Sequence, residues 1–382
     1  MRCEKLFSVI ENLNDEYIKI WEDVCNIESQ TKDKADVDAV CDYFVKLAKK
    51  HGWDIEKLEL ETAGSPVCIT MNSDAKGAPV IFSGHADTVH PKGLFGYPPV
   101  KIEGDKIYGP GVQDCKGGIV SAFMAMDALK RVGFDARPVK LIIQTDEETS
   151  SKQSNKKTVE FMCEKSAGAV AFLNTEGFSG NTATIRTKGI IRYKYTVKGK
   201  ACHSALCSGG ANAIAEAAHK ILKLEKYKDT DSITCNCGVI SGGSAPNTVA
   251  DECSFIADIR FSNKEQLEHI KKVAKEIADI NEIEGCSCIL EEVSFRPAMP
   301  ITDCNKELLD KMNNIYRENG LPELTGRFAL SGSDAAYICE IGVPCIDSIG
   351  TEGGKIHSAE EYAFINSLKE AAKRLASVAY CI

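Results

Sequence analysis

The stretch "VIFSGHADTVH", residues 80–90, begins as a short apolar segment and then turns polar. In an extended chain, positions i and i+2 point to the same side, so His85 and Asp87 share a face where a buried strand would end. On its own, this pattern also fits a histidine at a strand edge beside a turn aspartate. The chemistry of the rest of the chain has to decide between that structural interpretation and a functional site.

Three further apolar runs have the length and composition of buried strands. The four predicted strands cover residues 79–84, 139–145, 168–174 and 343–350. Between the first two, Ile119, Phe123 and Met126 recur at the spacing of a helix. The alternation of buried strands with helices predicts an α/β fold with a mainly parallel mixed sheet and flanking helices.

The middle of the chain has a different pattern, in the order β-α-β-β-α-β, which is typical of a ferredoxin-like α+β unit. The predicted strands cover 189–199, 232–240, 253–261 and 286–294, and the predicted helices cover 212–225 and 263–280. We therefore expect a smaller domain at 187–296, inserted into an α/β domain that is formed by 1–186 and 297–382.

The composition excludes several classes of partner. The chain has 382 residues and a formal net charge of −9, which disfavours binding to nucleic acid or to an anionic membrane surface. No apolar run approaches the ~20 residues that a membrane-spanning helix needs, and no signal peptide is visible. We therefore expect a cytoplasmic protein.

The 17 cysteines are odd in number and spread along the chain, unlike those of a disulfide framework. The pairs Cys235/Cys237 and Cys286/Cys288 leave a thiolate zinc site open as an alternative. Because the paired residues alternate along predicted strands, their sequence context favours small hydrophobic side chains in a reducing compartment.

Acidic residues and histidines follow the predicted strands of the α/β domain. They are His85, Asp87, the triplet 146–148, Glu176 and His357, together with Asp114 in the glycine-rich turn at 108–118. Open α/β sheets gather ligands in the crevice at the carboxyl ends of their strands. If these strands are neighbours, the acidic groups and the two histidines converge there.

So many carboxylates in one place need positive charge. A buried carboxylate must become neutral, pair with a cation or bind a metal, and Lys116 is the nearest basic residue in the sequence. Mixed imidazole and carboxylate donors suit zinc, and bridging carboxylates suit two metal ions ~3.5–4 Å apart. On this basis His85 is a metal ligand, and Asp87 orients it by accepting its other ring N–H.

The triplet "DEE" at 146–148 places Glu147 and Glu148 on opposite sides of an extended chain, so the two glutamates have different tasks. One can bind metal while the other accepts a proton from water. An acidic helix start would explain the charge of the triplet, but not the other acidic residues.

Eight motifs resemble, in their order, those of a family of co-catalytic zinc metallopeptidases. They are "GHADTV" (84–89), "GDKIYGPGVQDCKGG" (104–118), "TDEETSS" (145–151), "NTEG" (174–177), "GKACHS" (199–204), "PNTVADECSFIADIRF" (246–261), "SGSDAAY" (331–337) and "HSAEEY" (357–362). The family includes acetylornithine deacetylase, succinyl-diaminopimelate desuccinylase, aminoacylase and glutamate carboxypeptidase. The resemblance spans essentially the whole chain and implies a zinc exopeptidase-like α/β domain with an inserted lid and dimerisation domain.

The resemblance also implies a role for each residue of the predicted centre. The implied metal ligands are Asp114 as the bridge, His85 and Glu176 at one site, and Glu148 and His357 at the other. Glu147 would be the general base, and Asp87 would keep its orienting role. The implied cofactor is two Zn²⁺ per chain, with Co²⁺ or Mn²⁺ as alternatives.

Five residues match positions that contact substrate in the family: His203, Asn247, Arg260, Gly332 and Ser333. His203 would reach the active site of a neighbouring subunit and stabilise an oxyanion. Arg260 and the loop at 332–333 would hold a substrate carboxylate. We therefore expect a homodimer that forms through the lid domain.

The stretch around Pro110 looks closest to the glutamate carboxypeptidase branch, because the deacetylase and desuccinylase branches typically have arginine there. Ser333 replaces a more usual threonine, and Cys202 a more usual serine, which affects the expected specificity rather than the metal ligands. We expect metal-dependent hydrolysis of a small peptide or N-acyl amino acid, with release of a C-terminal amino acid.

Two alternatives stay open. One is an N-acyl amino acid deacylase such as acetylornithine deacetylase or succinyl-diaminopimelate desuccinylase. The other is a non-catalytic protein that has kept the fold, which the presence of all predicted ligands and of the predicted base disfavours.

Overall fold

The computed structural model describes residues 3–227 and 233–382. The chain divides into two compact units. Unit 1 comprises Met1–Ile185, Ile301–Phe328 and Tyr337–Ile382, and unit 2 comprises Arg186–Pro300 and Ala329–Ala336. The limits of an inserted domain at 187 and 296 stay a prediction, and no sequence pattern indicated that residues 329–336 belong with unit 2.

The elements are named in chain order. The α-helices are α1 (Glu4–Cys25), α2 (Lys34–His51), α3 (Lys116–Arg131), α4 (Lys157–Ser166), α5 (Ala213–Leu224), α6 (Lys264–Asp279), α7 (Asp303–Glu318), α8 (Ala335–Glu340) and α9 (Ile365–Cys381). Short 3₁₀ turns occur at Glu147–Thr149, Ser204–Gly209 and Glu225–Tyr227.

The strands are β1 (Asp54–Lys57), β2 (Val67–Met71), β3 (Val80–His85), β4 (Lys101–Glu103), β5 (Lys106–Tyr108), β6 (Val139–Gln144), β7 (Ala171–Asn174), β8 (Thr182–Thr187), β9 (Gly189–Lys198), β10 (Thr234–Gly242), β11 (Glu252–Phe261), β12 (Ser287–Arg296), β13 (Thr325–Ala329), β14 (Cys345–Ile346), β15 (Gly353–Gly354) and β16 (Tyr362–Phe364). A small sheet of unit 1 has the order β15-β16-β5-β4, and β8 pairs with β13.

The main sheet of unit 1 has the strand order β1-β2-β6-β3-β7-β14. Strands β6, β3, β7 and β14 run parallel to one another, whereas β1 and β2 add antiparallel pairs at one edge. All six residues of β3 are buried, as expected for a strand at the centre of a covered sheet. The expected mainly parallel mixed sheet with flanking helices is confirmed, and the carboxyl ends of β6, β3 and β7 lie side by side.

The last predicted strand of this sheet, at 343–350, is much shorter in the structure, where β14 contains only Cys345–Ile346. Asp347 leaves the sheet to form a bridge with Thr184, and its carboxylate accepts a hydrogen bond from the Asn174 side chain at 3.0 Å. Ser348 then has a left-handed backbone with φ of 62°. Composition did not indicate this turn, because its partners are distant in the sequence.

Helix α3 is buried on nearly all sides and begins beside the ends of the central strands. It packs against β3 and β6, while α1 and α9 pack against it. Every residue from Lys116 to Leu129 is buried, as is typical of a helix inside a core. The carboxylate of Asp127 accepts hydrogen bonds from the Tyr17 hydroxyl at 3.0 Å and from Nε and Nη2 of Arg131 at 2.9 and 3.0 Å.

Two glycines allow the first turn of α3 to approach neighbouring backbone. A Cβ atom on Gly118 would lie 2.0 Å from the carbonyl oxygen of Thr175, and one on Gly117 would lie 2.3 Å from that of Val112. No other residue type fits at this separation without a shift of the backbone. The close approach brings the segment before α3 next to the segment after β7.

Unit 2 contains a four-stranded antiparallel sheet in the order β10-β11-β9-β12. Helix α5 connects β9 to β10, and α6 connects β11 to β12, so the predicted ferredoxin-like α+β arrangement is confirmed. Ser232, the first residue of the strand predicted at 232–240, lies outside the described residues. The core includes the stacked rings of Tyr195 and Phe255, whose centroids are 4.7 Å apart.

A buried lysine, Lys220, ties the two helices of unit 2 together. Lys220 and Glu216 on α5 are fully buried, and the charged atoms lie 3.1 Å apart. Lys220 also donates hydrogen bonds of 2.7, 3.2 and 2.8 Å to the carbonyl oxygens of Ile277, Ala278 and Ile280, at the C-terminal end of α6. A cation at that position is favourable because the last carbonyl groups of a helix carry partial negative charge.

Among the described residues, no helix is both long enough and apolar enough to cross a bilayer. Neither Cys235/Cys237 nor Cys286/Cys288 belongs to a group of side chains that could hold a metal ion within the described part of the chain. The thiolate zinc site therefore has no support in the structure.

We expect Gly118→Ala to lower the free energy of unfolding by at least about 1–3 kcal/mol, because the added methyl group overlaps Thr175 and forces α3 to shift. Denaturant unfolding monitored by circular dichroism measures this change. Gly209→Ala is the matched control, because a Cβ atom there meets nothing within 4 Å. Equal unfolding midpoints for the two variants would show that the close approach of α3 does not constrain the fold.

Candidate metal centre

The side chains predicted for the metal centre come together at the carboxyl ends of the parallel strands of unit 1. His85 is the last residue of β3, and Glu176 follows β7 by two residues. Glu147 and Glu148 open the 3₁₀ turn that follows β6. The remaining two members are Asp114, just before α3, and His357, which follows β15.

The carboxylate of Asp114 lies between the two histidines. Its Oδ1 is 3.1 Å from Nε2 of His85, and its Oδ2 is 3.2 Å from Nε2 of His357. Each histidine also faces one glutamate: His85 Nε2 is 3.6 Å from Glu176 Oε1, and His357 Nε2 is 3.3 Å from Glu148 Oε2. The cluster therefore has two halves, each with one histidine and one glutamate, and both share Asp114.

Asp87 is fully buried and fixes the geometry of two neighbours. Nδ1 of His85 donates to the backbone carbonyl oxygen of Asp87 at 2.9 Å, nearer than its carboxylate oxygen at 3.4 Å. This bond leaves Nε2 of His85 as the atom that faces the cluster. The Asp87 carboxylate accepts the backbone N–H groups of Glu147 and Glu148, at 3.2 Å each, and the Thr31 hydroxyl at 2.8 Å.

The carboxylate of Asp87 thus accepts hydrogen bonds mainly from the turn after β6, and its contact with the ring of His85 is longer. From the sequence we expect the side chain of Asp87 to be the partner of the ring N–H; the backbone carbonyl is nearer, and the contact with Thr31 was not predicted. Thr31 precedes α2 and is far from the other members in the sequence, so only its burial beside Asp87 reveals the contact.

The pKa values of the three carboxyl groups in the cluster differ from their ordinary values. Burial raises the pKa of Glu148 to about 7 and raises the pKa of Glu176 well above its ordinary value. Although burial works against it, the hydrogen bonds to His357 and His85 hold the pKa of Asp114 well below its usual range.

The pKa values of both histidines are raised as well. Hydrogen bonds to Asp114 and Glu148 raise the pKa of His357 to about 10. Burial favours a neutral ring at His85, but the acidic groups around it, among them Cys115 and Glu176, raise the pKa of His85 well above its ordinary value. Raised pKa values favour protons on both histidines and on Glu148 and Glu176, and both changes reduce the net negative charge of the cluster.

This donor set fits divalent metal ions. Ligand atoms of His85, Asp114 and Glu148 all lie within 4.8 Å of one another, as do those of His85, Glu176 and the thiol of Cys115. Imidazole with carboxylate is a typical zinc donor set, and a carboxylate shared by two halves is typical of a two-metal site. Cys115 is not needed as a ligand, because its thiol already accepts the backbone N–H of His85 at 3.0 Å.

His357 is held differently from the other members. Its side chain is 53 % exposed, whereas that of His85 is 1 % exposed. Its backbone is left-handed, with φ of 61°, which is uncommon for a residue other than glycine. Tight local turns on either side of the histidine therefore direct the ring toward Asp114.

The predicted substrate-binding residues all lie in unit 2, where two of them form one group. His203 pairs with Thr248 in an isolated bridge, and the backbone carbonyl of Asn247 accepts the N–H of Ser204 at 3.0 Å. Nδ1 of His203 accepts the N–H of Ala205 at 3.1 Å, so its ring carries a proton on Nε2 and can donate it to a ligand.

The other three form a second group. Nη1 of Arg260 donates to the carbonyl oxygen of Leu330 at 2.9 Å, at the start of the loop that contains Gly332 and Ser333. Ser333 is buried, and its hydroxyl oxygen accepts the N–H of Ala335 at 3.1 Å. A Cβ atom on Gly332 would lie 2.8 Å from Cδ of Arg296, so the loop lies directly on that side chain.

The sequence profile of Peptidase family M20/M25/M40 matches residues 81–380. The chain belongs to this family, as the resemblance of its motifs predicted, and it is a hydrolase of the metallopeptidase and amidohydrolase type.

The chain is 28% identical to carboxypeptidase G2 of Pseudomonas sp. (strain RS-16) over 378 residues, which covers 96% of this chain and 89% of that protein. It is 24% identical to a probable succinyl-diaminopimelate desuccinylase of Staphylococcus aureus (strain MRSA252) over 340 residues, or 78% of this chain and 80% of that protein. The fold is that of the Bacillus subtilis YXEP protein, a dinuclear metal-binding peptidase, with a TM-score of 0.69 at 15% identity over 97% of this chain and 98% of that one.

We expect Asp114→Asn to abolish the binding of at least one of two zinc ions per chain, because the amide nitrogen replaces one of the two oxygens that face the histidines. Elemental analysis after equilibration in zinc-buffered solution measures the stoichiometry. Asp105→Asn is the matched control, since Asp105 is an exposed residue between β4 and β5. Equal zinc content in both variants would exclude Asp114 as a bridging ligand.

Proposed function

We propose that this protein is a di-zinc exopeptidase that hydrolyses an amide bond and releases a C-terminal amino acid with a free carboxylate. The observation that carries the proposal is the carboxylate of Asp114, each oxygen of which faces a different histidine. The similarity to carboxypeptidase G2 along nearly the whole chain supports the carboxypeptidase specificity.

One zinc ion would be held by His85, Glu176 and Asp114, and the other by Glu148, His357 and the second oxygen of Asp114. When bound, the two ions would supply Lewis acidity, which lowers the pKa of water and polarises the scissile carbonyl group. The dinuclear metal binding of the structurally similar Bacillus subtilis protein supports a site for two ions.

Glu147 is proposed as the general base. Its backbone N–H is fixed by Asp87 at 3.2 Å, in the same turn that places Glu148 against His357. Its half-buried carboxylate would accept a proton from the attacking water and deliver it to the amide nitrogen, so that the C–N bond breaks with release of a neutral amine. One residue would then serve both proton transfers, and no proton is lost to solvent.

The residues of unit 2 are proposed to bind the substrate. His203 would donate its Nε2–H to the oxyanion that develops at the carbonyl carbon, at the active site of a neighbouring subunit in a homodimer. Arg260, together with the loop of Gly332 and Ser333, would hold the free carboxylate. Asn247 would contribute a further polar contact.

A deacylase is the second candidate, and one observation favours it. The chain is 24% identical to a probable succinyl-diaminopimelate desuccinylase over 78% of its length. A deacylase and a carboxypeptidase both cleave an amide bond next to a free carboxylate, so the same metal centre and the same Arg260 would serve either substrate.

Hydrolysis of a mixed substrate panel by the zinc-loaded protein separates these candidates. The panel contains N-acyl glutamates with a bulky aromatic group, simple dipeptides, N-acetylornithine and N-succinyl-diaminopimelate. Release of glutamate, or of the C-terminal residue of a dipeptide, supports the carboxypeptidase. Cleavage of only the last two compounds would overturn it in favour of the deacylase.

We expect Glu147→Gln to lower kcat by at least about 10²–10⁴-fold while the protein keeps its two zinc ions, because the amide cannot accept the proton. Steady-state kinetics and elemental analysis of the same sample measure both properties. Glu148→Gln is the comparison variant, and we expect it to lose zinc as well as activity. Near-normal turnover by Glu147→Gln would remove this residue from the mechanism.

We expect Arg260→Met to lower kcat/KM by about 10–100-fold, because a charge-assisted hydrogen bond to the substrate carboxylate is worth about 1.5–3 kcal/mol. The loss should disappear when that carboxylate is converted to a carboxamide. Arg192→Met is the matched control, since Arg192 also bonds Asp258, at 2.7 Å, and has no proposed contact with substrate. An equal loss for both variants would indicate a role in the sheet of unit 2 only.

A further inference from the structure

Glu361 is a fully buried carboxylate in unit 1 that accepts four hydrogen bonds. Its Oε1 accepts the backbone N–H groups of Gln113 and Asp114, at 2.9 and 3.0 Å. Its Oε2 accepts the backbone N–H of Gly111 at 3.2 Å and the Nε2–H of His90 at 2.7 Å. Four donors fill the acceptor positions of an ionised carboxylate, which is the condition for burying its charge.

These bonds connect two segments that carry proposed metal ligands. Glu361 follows His357 by four residues, and its own N–H is bonded to the carbonyl oxygen of Ser358 at 3.2 Å. Its backbone carbonyl accepts the N–H of Gly109 at 3.3 Å, at the start of the turn that leads to Asp114. A single residue therefore joins the segment of His357 to both ends of the turn at 109–114.

Inside the turn, the N–H of Val112 bonds the carbonyl oxygen of Gly109 at 3.4 Å, and the N–H of Gly117 bonds that of Gly111 at 3.3 Å. Gly111 has a left-handed backbone with φ of 77°, and a Cβ atom there would lie 2.5 Å from Cε of Lys116. The N–H groups at 111, 113 and 114 point to one centre, so the turn wraps around the carboxylate. Without that negative charge, three buried N–H groups would lose their acceptor.

We propose that Glu361 is a positioning residue that sets the backbone of Asp114, so that the carboxylate of Asp114 can bridge two metal ions. The inference rests on the proposed metal centre and adds a residue that binds no metal itself. His90, at the end of the stretch that also contains His85, supplies the fourth donor and fixes the orientation of the Glu361 carboxylate.

A glutamine cannot replace this carboxylate, although it has the same shape. The side-chain amide has one acceptor oxygen and one NH₂ group. Whichever way it turns, its NH₂ group faces either the N–H groups of Gln113 and Asp114, or the N–H groups of Gly111 and His90. The ring of His90 can change tautomer and accept from the NH₂ group, but in either orientation at least one backbone N–H of the turn loses its acceptor, so the turn must move to relieve the contact.

The test compares Glu361→Gln with Glu360→Gln in the full-length protein. Glu360 is the adjacent residue, is exposed, and pairs only with Lys355 at 3.3 Å among the contacts described for its side chain. We expect Glu361→Gln to weaken zinc binding by about 10–100-fold, as changes to groups that orient metal ligands do. Competition with a chromophoric chelator measures the affinity, and Glu360→Gln should match the wild type.

A second readout separates positioning from general stability. The visible absorption spectrum of the Co²⁺-substituted protein reports the ligand geometry, and we expect it to change in Glu361→Gln but not in Glu360→Gln. At saturating zinc, kcat should stay below the wild-type value while KM changes little, because the ligands and not the substrate contacts are displaced. Glu361→Asp keeps the charge but shortens the side chain by one methylene group. We expect its zinc affinity and kcat to lie between those of Glu361→Gln and the wild type.

The outcomes are distinct. If Glu361→Gln folds poorly, the affinity and Co²⁺ spectrum of Glu361→Asp decide the question. Wild-type zinc affinity and an unchanged Co²⁺ spectrum in the Glu361 variants would overturn the positioning role and leave the proposed function intact. A wild-type protein that binds neither zinc nor Co²⁺ would overturn the metal centre, and with it this inference.

Discussion

The structure of unit 1 depends on how the negative charge at the carboxyl ends of β6, β3 and β7 is balanced. Parallel pairing places the ends of these strands side by side, and the acidic residues that follow the strands are therefore held close together. Asp114 then lies within 3.2 Å of two histidine nitrogens, and Glu148 and Glu176 flank the same histidines. Raised pKa values of both histidines and of Glu148 and Glu176 reduce this negative charge, and two divalent ions would balance it directly.

Other buried carboxylates shape the chain around that cluster instead of entering it. Asp87 accepts two N–H groups of the turn after β6, and Glu361 accepts three N–H groups of the turn before α3. Asp146 likewise accepts the N–H of Ser154 at 2.8 Å and the hydroxyl of Thr158. Hydrogen bonds to ionised acceptors are about twice as strong as neutral ones, so a single carboxylate can fix a loop that has no regular structure.

Several features of the site followed from the sequence because they depend on local pattern. The apolar runs predicted β3, β6 and β7, and the residues at their ends followed from counting along an extended chain. Different tasks for Glu147 and Glu148 were predicted from an extended chain, but that premise was wrong, because both residues lie in a 3₁₀ turn; among the contacts described for the ring of His357, only Glu148 faces it. The order β-α-β-β-α-β likewise predicted the sheet of unit 2. No sequence pattern predicted the buried ion pair of Lys220 and Glu216 in the same unit.

The sequence by itself determined which chemical groups are present, where the central strands of unit 1 and the elements of unit 2 lie, and which family the chain belongs to. Tertiary structure alone decided that Asp347 leaves the sheet after two residues of β14, and that Nδ1 of His85 lies nearer the backbone carbonyl of Asp87 than the carboxylate of the same residue. The neighbours Glu360 and Glu361 show the physical reason. They are identical in chemistry, but one is exposed and the other is buried among donors about 250–270 residues away in the sequence. Contacts between residues so far apart leave no period in the sequence, so only the folded chain distinguishes the two.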